Sequence, residues 1–556
     1  MFRFLTGLSS ERGNPLQTQK SASVWFRQLP AADPIGRQLE VIRALDEVTQ
    51  ATKRPDFACV AAIRYLDAEL GADRSQLVTQ YVESFGGRLA VADRIWKAAY
   101  DISQGFIGAY RKLLTEATEA SGEARWKREI APLTARLIHH LGVDAKLRVL
   151  KSERWIPQKW VELNHLYRRA VDRRIERVAV DAGEATPPTT IEQEYIAVLI
   201  THLVNTGTLA PAQVDWVLSQ TLARSHGLEL SDAASATTAF IVDIDGKRGL
   251  VRRATPDPGH TLRYLDTGPL SAEIERAIAA MKASGDGERQ SARCFEPARI
   301  TMLEKLRAMI SPDTVPNVSR EPRADVSYEA DVRVGLARIC AHLANVQAPD
   351  AELGGERRKS PFGPANVGPV PAASRFPKTG GPPPEDAPRW IVQNRSNSGL
   401  RVSALGSARH GLTLGSLVAV RSRDGGDWAL GVVRRMVRST SEKIDVGVGV
   451  IALRFATIAL HAKQHAREDM GFVVDGVDVS TMGPRFDGLY LPPPSRPSKP
   501  LSERSLVIPT TEHAAGRTIV AMAPRAIYTV VLRELLESHG EWSWTTVEII
   551  DQTPRN

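Results

Sequence analysis

Apolar residues recur at spacings of three and four through most of the first 230 positions, the period of helices that bury one face. Val91, Ile95, Ala99, Ile102, Phe106, Ala109 and Leu113 form one such face. A further helix is expected from about Ile191 to Val204, where Thr190 offers an N-cap and Gln193 the return partner of a capping box. Pro211 suits the first turn of the next helix, with Val214, Val217 and Leu218 buried. Breaks at Gly86-Gly87, Gly122 and Thr186-Pro187-Pro188 separate such elements. No fixed-period repeat with a shared signature occurs, so the helices do not read as a named solenoid.

The pattern changes near Ala239. Residues 240–244, followed by Asp245-Gly246, read as a strand entering a tight turn, with Gly249-Leu250-Val251 as its hairpin partner. Helices are expected near 271–283 and over 328–344, the latter with Val332, Leu336, Ile339 and Leu343 on one face. From Gly354 to Pro388 proline and glycine are too dense for helix or sheet, which marks a linker that opens on Arg357-Arg358-Lys359. Past it the pattern is β. Residues 389–393, 417–420, 428–434 and 445–451 read as short strands, and Asp424-Gly425-Gly426 is turn chemistry between them. Such strands make a small barrel or sandwich. Residues 454–465 fit either a strand or a helix. Beyond a proline-rich break at 491–500, strand-like runs at 505–508, 528–532 and 542–549 point to a second small β unit.

The expected fold class is multidomain α+β: a largely α-helical N-terminal region, then a small antiparallel β-barrel and a further C-terminal β unit. The divisions fall at 1–230 (helical), 231–345 (mixed α/β, ending in a helix), 346–388 (linker), 389–485 (barrel) and 486–556 (β-rich unit). A chain of 556 residues is too long for one core, which agrees with several domains.

Charge sharpens this division. The net charge is +8, and residues 389–460 hold eleven Arg and Lys against four Asp and Glu. One module therefore carries nearly the whole basic surplus, and an anionic partner is expected there. Cys59, Cys294 and Cys340 lie far apart, which excludes a disulfide framework and a cysteine-rich zinc site. No stretch approaches 18 uninterrupted apolar residues, so no transmembrane helix is expected. The N-terminus turns polar too quickly for a secretory signal, and a cytoplasmic location is expected.

The segment Asn394-Arg395-Ser396-Asn397-Ser398-Gly399 follows the first strand of the basic module and fits the pattern D/N-x-S-x-x-G. Asparagine can donate to and accept from a guanine edge, serine can serve a phosphate or a base, and arginine grips phosphate or guanine bidentately. Glycine lets the backbone come close to a ligand. With the strands that follow (415–418, 428–434 and 444–450), this turn resembles the PilZ domain, a small β-barrel receptor for cyclic di-GMP. The resemblance covers about 65 to 100 residues, all in the C-terminal third. It implies a cyclic di-GMP site built from Asn394, Arg395, Ser396, Gly399 and Arg401. PilZ domains also carry an R-x-x-x-R motif ahead of the barrel that wraps over the ligand. Its nearest counterpart here is Arg357 and Arg358, with Pro361 and Phe362 where the later arginine would fall.

Other chemistries find little support. His461 and His465 lack the Glu of HExxH, and Asp243 and Asp245 lack the remaining ligands of a calcium loop, so no metal site is expected. Neither GxxxxGK[ST] nor GxSxG occurs, so no catalytic constellation and no cofactor is expected beyond the dinucleotide ligand. Three readings follow. The first is a non-enzymatic cyclic di-GMP receptor that passes its signal through the helical region to an unidentified protein partner. The second is a PilZ-like interaction module that binds no nucleotide. The third, a nucleic-acid binder, is the weakest, because aromatic residues for base stacking are sparse around Arg434, Arg435 and Arg438.

Overall fold

A computed structural model describes residues 14–30, 33–52, 54–84, 89–120, 122–181, 188–204, 207–235, 238–252, 261–284, 296–312, 323–346, 389–405, 412–438, 443–463, 473–474, 477–478, 482–495, 501–523 and 526–554. The chain divides into two compact units, Met1–Val318 and Ser319–Asn556. The architecture is multidomain α+β: helices come first, then β-barrels.

The first unit holds helices α1 (Gln19–Gln28), α2 (Pro34–Gln50), α3 (Ala58–Glu69), α4 (Gly71–Ser84), α5 (Leu89–Glu119), α6 (Ala124–Leu150), α7 (Pro157–Asp172), α8 (Ile191–Val204) and α9 (Pro211–Leu222). A four-stranded sheet follows, of order β1-β4-β2-β3, from β1 (Leu230–Ser231), β2 (Phe240–Asp243), β3 (Val251–Arg252) and β4 (Leu262–Leu265). Helices α10 (Gly268–Ser284) and α11 (Glu296–Ile310) complete the unit.

Helical periodicity maps onto burial along α5. Ala99, Ile102, Phe106, Ala109 and Leu113 are buried, and only Val91, near the helix start, is exposed. The capping box at the start of α8 is present: Gln193 N donates to Thr190 Oγ1 and Thr190 N to Gln193 Oε1, each at 3.1 Å. These reciprocal bonds satisfy amides that the helix itself leaves unpaired. Sheet and helices share one apolar core, in which Phe240 and Val242 of β2 pack with Leu163, Ile196 and Leu199.

The second unit begins where a helix was expected. Residues 324–334 form strand β5 (Ala324–Val334), and only the stretch after Gly335 is helical, as α12 (Leu336–Val346). The spacing of Val332, Leu336, Ile339 and Leu343 spans this junction by coincidence. The earlier residues alternate, with Val326, Tyr328, Ala330, Val332 and Val334 turned to a barrel core. Gly335 takes φ +89°, a left-handed conformation that ends the strand and turns the chain into the helix.

Five more strands close the first barrel: β6 (Arg389–Arg395), β7 (Gly399–Leu405), β8 (Leu417–Ser422), β9 (Ala429–Arg438) and β10 (Lys443–Ala452), in the order β10-β7-β6-β5-β8-β9. It is antiparallel throughout, and β5, from the near side of the Pro/Gly-rich stretch, lies between β6 and β8. The ambiguous run at 454–465 is a strand, β11 (Ala456–Lys463). It opens a second closed barrel with β14 (Met482–Leu491), β15 (Ser505–Pro509), β16 (Thr518–Met522), β17 (Ala526–Ser538) and β18 (Trp542–Pro554), in the order β11-β14-β15-β18-β17-β16. A short ribbon, β12 (Val473–Val474) with β13 (Val477–Asp478), stands apart from both barrels.

Each barrel has its own apolar interior. A third cluster joins them: Leu336, Ile339 and Leu343 of α12 pack with Leu417, Leu430 and Val432 of the first barrel and with Leu489, Val507, Trp542 and Trp544 of the second. The indole of Trp542 donates to Gly415 O at 3.0 Å, which fixes the β17–β18 hairpin against the loop before β8. Closure leaves no bare edge along most of each sheet and satisfies the strand amides internally.

Candidate functional site

The candidate residues lie on the outer surface of the first barrel, where β6, β7 and β10 run side by side. Inward positions alternate strictly: Val392, Leu400, Val402, Ala404, Ile444, Val446 and Val448 fill the core. On β6 strict alternation from Trp390 and Val392 would also turn Asn394 inward. A β-bulge prevents this. The β6–β7 register shifts between Val392 and Asn394, so that Val392 pairs with Val402 but Asn394 pairs with Arg401. One extra residue, Gln393, thus brings Asn394 onto the same face as the exposed Arg401.

A cross-strand row results. Asn394 pairs with Arg401, Arg401 with Gly447, and Gly447 with Arg435 of β9. The next row joins Gly399 to Gly449. Between them, Gly399, Gly447 and Gly449 form a strip with no side chains on the outer face. A Cβ on Gly399 would sit 3.1 Å from Val448 O, so close strand approach, rather than backbone conformation, requires glycine here. Gly399 does not take a positive φ.

The turn from β6 into β7 is closed by Ser396 N donating to Gly399 O at 2.8 Å. Val450 N donates to Ser398 O at 3.0 Å, which ties the turn to the end of β10. The Ser396 and Ser398 hydroxyls stand 3.4 Å apart. Arg395 ends the strand, opposite Ala324 and Leu400. Arg357 and Arg358 lie outside the described residues.

The charges on this face are organised. Arg401 Nη2 donates to Asp445 Oδ2 at 3.1 Å, and the Ser403 hydroxyl donates to Asp445 Oδ1 at 2.6 Å. Burial alone would raise the Asp445 carboxyl. The two hydrogen bonds, with the charges of Arg401 and Lys443, outweigh it and hold the group below the usual carboxylate range. The Arg434 stem crosses the glycine strip, 3.0 Å from where a Cβ of Gly449 would lie. Its guanidinium makes a two-oxygen contact with Glu537 of the second barrel, the second bond at 2.6 Å. The His539 ring lies 2.6 Å from the same carboxylate. Burial opposes ionisation of Glu537, but His539 and Arg434 bring its pKa down to about 2.

Asn394, Ser396, Gly399 and Arg401 are thus brought together. Asp445, Ser403 and the glycine pair of β10 were not recognised as partners from the sequence. The alternation Gly447-Val448-Gly449 was a visible signal for a bare outer strip, but cross-strand pairing was needed to place it beside Arg401.

Residues 20–234 match the family described as the N-terminal domain of the cyclic-di-GMP receptor FimW. The match runs from α1 through β1 and therefore lies on the helical region, not on the C-terminal third where the PilZ resemblance was read. It gives that C-terminal placement no support. No curated protein matches the chain.

Proposed function

We propose that the chain is a cyclic di-GMP receptor, a binding protein and not a catalyst, whose first barrel holds the dinucleotide on its outer face. The family match carries the receptor reading, because it names a cyclic di-GMP receptor in the helical part of this same chain. The barrel face supplies suitable chemistry. The Asn394 amide matches a guanine edge, and the glycine strip from Gly399 to Gly449 accepts a flat ring once the Arg434 stem moves off it. Arg401 pairs with a phosphate once it leaves Asp445. Arg357 and Arg358 would reach over the ligand from the segment before β6. The helical region would pass the signal to a protein partner, and the cytoplasm is the compartment in which such a messenger is met.

Calorimetric titration of the full chain with cyclic di-GMP tests this reading. Micromolar or tighter binding is expected. An Asn394→Ala/Ser396→Ala double variant and Arg401→Ala should each weaken it at least about tenfold, the worth of one charge-assisted or bidentate contact. An Arg357→Ala/Arg358→Ala variant should weaken it as well. No binding by the folded chain would overturn the receptor reading. Binding that survives all three barrel-side changes would move the site off this face.

A second reading, a PilZ-like interaction module without nucleotide, is favoured by one observation. Arg401 and Arg434 are already neutralised by Asp445 and Glu537, so part of the basic field is spent within the protein.

A further inference from the structure

A groove of about 540 Å³ runs between α5 and α7 in the helical unit. This is within the range of small-molecule sites, roughly 300–1,000 Å³. Leu114, Leu137 and Leu166 line its floor, and a narrow extension passes Ile130 and Thr134 toward the end of α7. Arg169 borders both parts and Arg173 the extension.

These two arginines differ from their neighbours. Arg168 pairs with Asp245 and lies 3.9 Å from Asp172, Arg177 lies 3.3 Å from Glu192, and Arg111, across the groove, donates through Nε to Glu162 at 2.9 Å. Among the described residues, neither the Arg169 nor the Arg173 guanidinium has a hydrogen-bond or ion-pair partner. They stand four residues apart, in the last turn and at the C-cap of α7, so both project from one side of the helix. The negative end of the helix dipole offsets part of their repulsion. A dianionic group between them would offset the rest and match two planar forks of donors.

The walls supply complementary polarity. The hydroxyls of Thr115, Thr118 and Thr134 donate to carbonyls four residues back at 3.0, 2.8 and 2.7 Å. Their lone pairs remain available to accept bonds from a ligand. Glu119 also borders the groove, and its carboxylate opposes an anion there.

We propose that this groove binds a phosphorylated small molecule of nucleotide size. Arg169 and Arg173 hold the phosphate, and the leucine floor takes the flat body of the ligand. The site is separate from the barrel face and does not depend on the reading of that face.

The test is calorimetry on the full chain at low salt with guanosine 5′-monophosphate, and with inorganic phosphate as the body-less probe. Saturable binding of the nucleotide is expected, weakened about tenfold in Arg169→Gln and in Arg173→Gln. Binding should tighten in Glu119→Gln, which removes the charge that opposes an anion there. Phosphate alone should bind more weakly than the nucleotide, because it leaves the floor uncovered. All three substituted groove positions are exposed, so the variants should keep the parent melting temperature, which is checked on each sample. Absence of saturable nucleotide binding, or binding that both arginine variants leave intact, would overturn the proposal. Equal affinity for phosphate and nucleotide would remove the role of the floor.

Discussion

The helical unit places ionised groups inside its core, whereas the two barrels hold theirs on the outside. Asp67, 1% exposed, accepts from Tyr110 Oη at 2.8 Å and Arg136 Nε at 2.9 Å, with Arg74 at 2.8 Å and His140 at 3.1 Å. Asp144, fully buried, accepts from Trp155 Nε1 at 2.8 Å and Gln104 Nε2 at 2.9 Å. The barrel interiors contain apolar side chains, and among the described residues of that unit the buried polar ones are neutral hydroxyls such as Ser403, Ser505 and Thr545. Helices satisfy their own backbone, so side-chain charge can join one helix to another. Barrels are already joined by strand hydrogen bonds and need only a packed interior. The helical unit is therefore the one whose stability should answer to charge and pH.

The largest test of this contrast is Asp67→Ala. It leaves Arg74 and Arg136 without their carboxylate and is expected to cost about 3–5 kcal/mol, read as a lower denaturation midpoint of the helical transition. A loss below about 1 kcal/mol would show that the cluster is not what joins α3, α5 and α6.

Acid should separate the units next. Burial brings His140 down to about 3, against the pull of Asp67, and brings His202 down to about 3 as well. Burial would raise the Asp67 carboxyl, but the surrounding cations hold it well below the usual range. The unfolded chain therefore takes up histidine protons first, from its ordinary value of 6.5 downward. Helical stability should be full above that pH and fall by up to about 2 kcal/mol for each histidine by about pH 5. In the second unit the lowered carboxyls are Glu537 and Asp445, whose contributions are lost only as pH falls below the ordinary carboxylate values, toward about 2 for Glu537. Burial lowers its His342, on α12, by less than His140 and His202. Melting curves recorded by far-UV dichroism, in the helical and β signals separately, should show the helices softening first. Coincident acid transitions would break the contrast.

Within the barrel unit, Gly415→Ala should matter more than any surface charge. Gly415 has φ +82°, and a Cβ there would lie 2.1 Å from His539 Nδ1. The ring would have to swing away from Glu537 and Trp542, and backbone strain would remain. A loss of about 1–3 kcal/mol in the β transition is expected. The smallest effect should come from Asp445→Ala, which removes a half-exposed pair on the outer face and should change barrel stability by under about 1 kcal/mol. The same variant releases Arg401 and, on the receptor reading, should tighten cyclic di-GMP binding. A barrel as sensitive to Asp445 as the helices are to Asp67 would reverse the comparison.

Much of the candidate barrel face was legible before the fold. Strands β6, β8, β9 and β10 followed from short valine-rich runs between turns, and Asn394, Ser396 and Gly399 from the turn chemistry, but strand β7 (Gly399–Leu405), which carries Arg401, did not. What failed did so for local reasons. Val332 lies at helical spacing from Leu336 although it is a strand residue, because Gly335 resets the phase between them. The second barrel's strands were visible one by one, but their closure was not, because β11 pairs with β14 and β16 across long stretches of chain.

Apart from the stretch before Gly335, the sequence by itself determined which regions are helical and which are β, where proline and glycine interrupt, and where basic charge concentrates. Those depend on neighbours within a few residues. Only the tertiary structure decided that Asn394 faces out beside Arg401, that Asp445 restrains that arginine, and that Arg169 and Arg173 border a groove without acidic partners. Each of these depends on a register shift or on a contact between elements far apart in the chain. Periodicity carries no information about pairing of that kind.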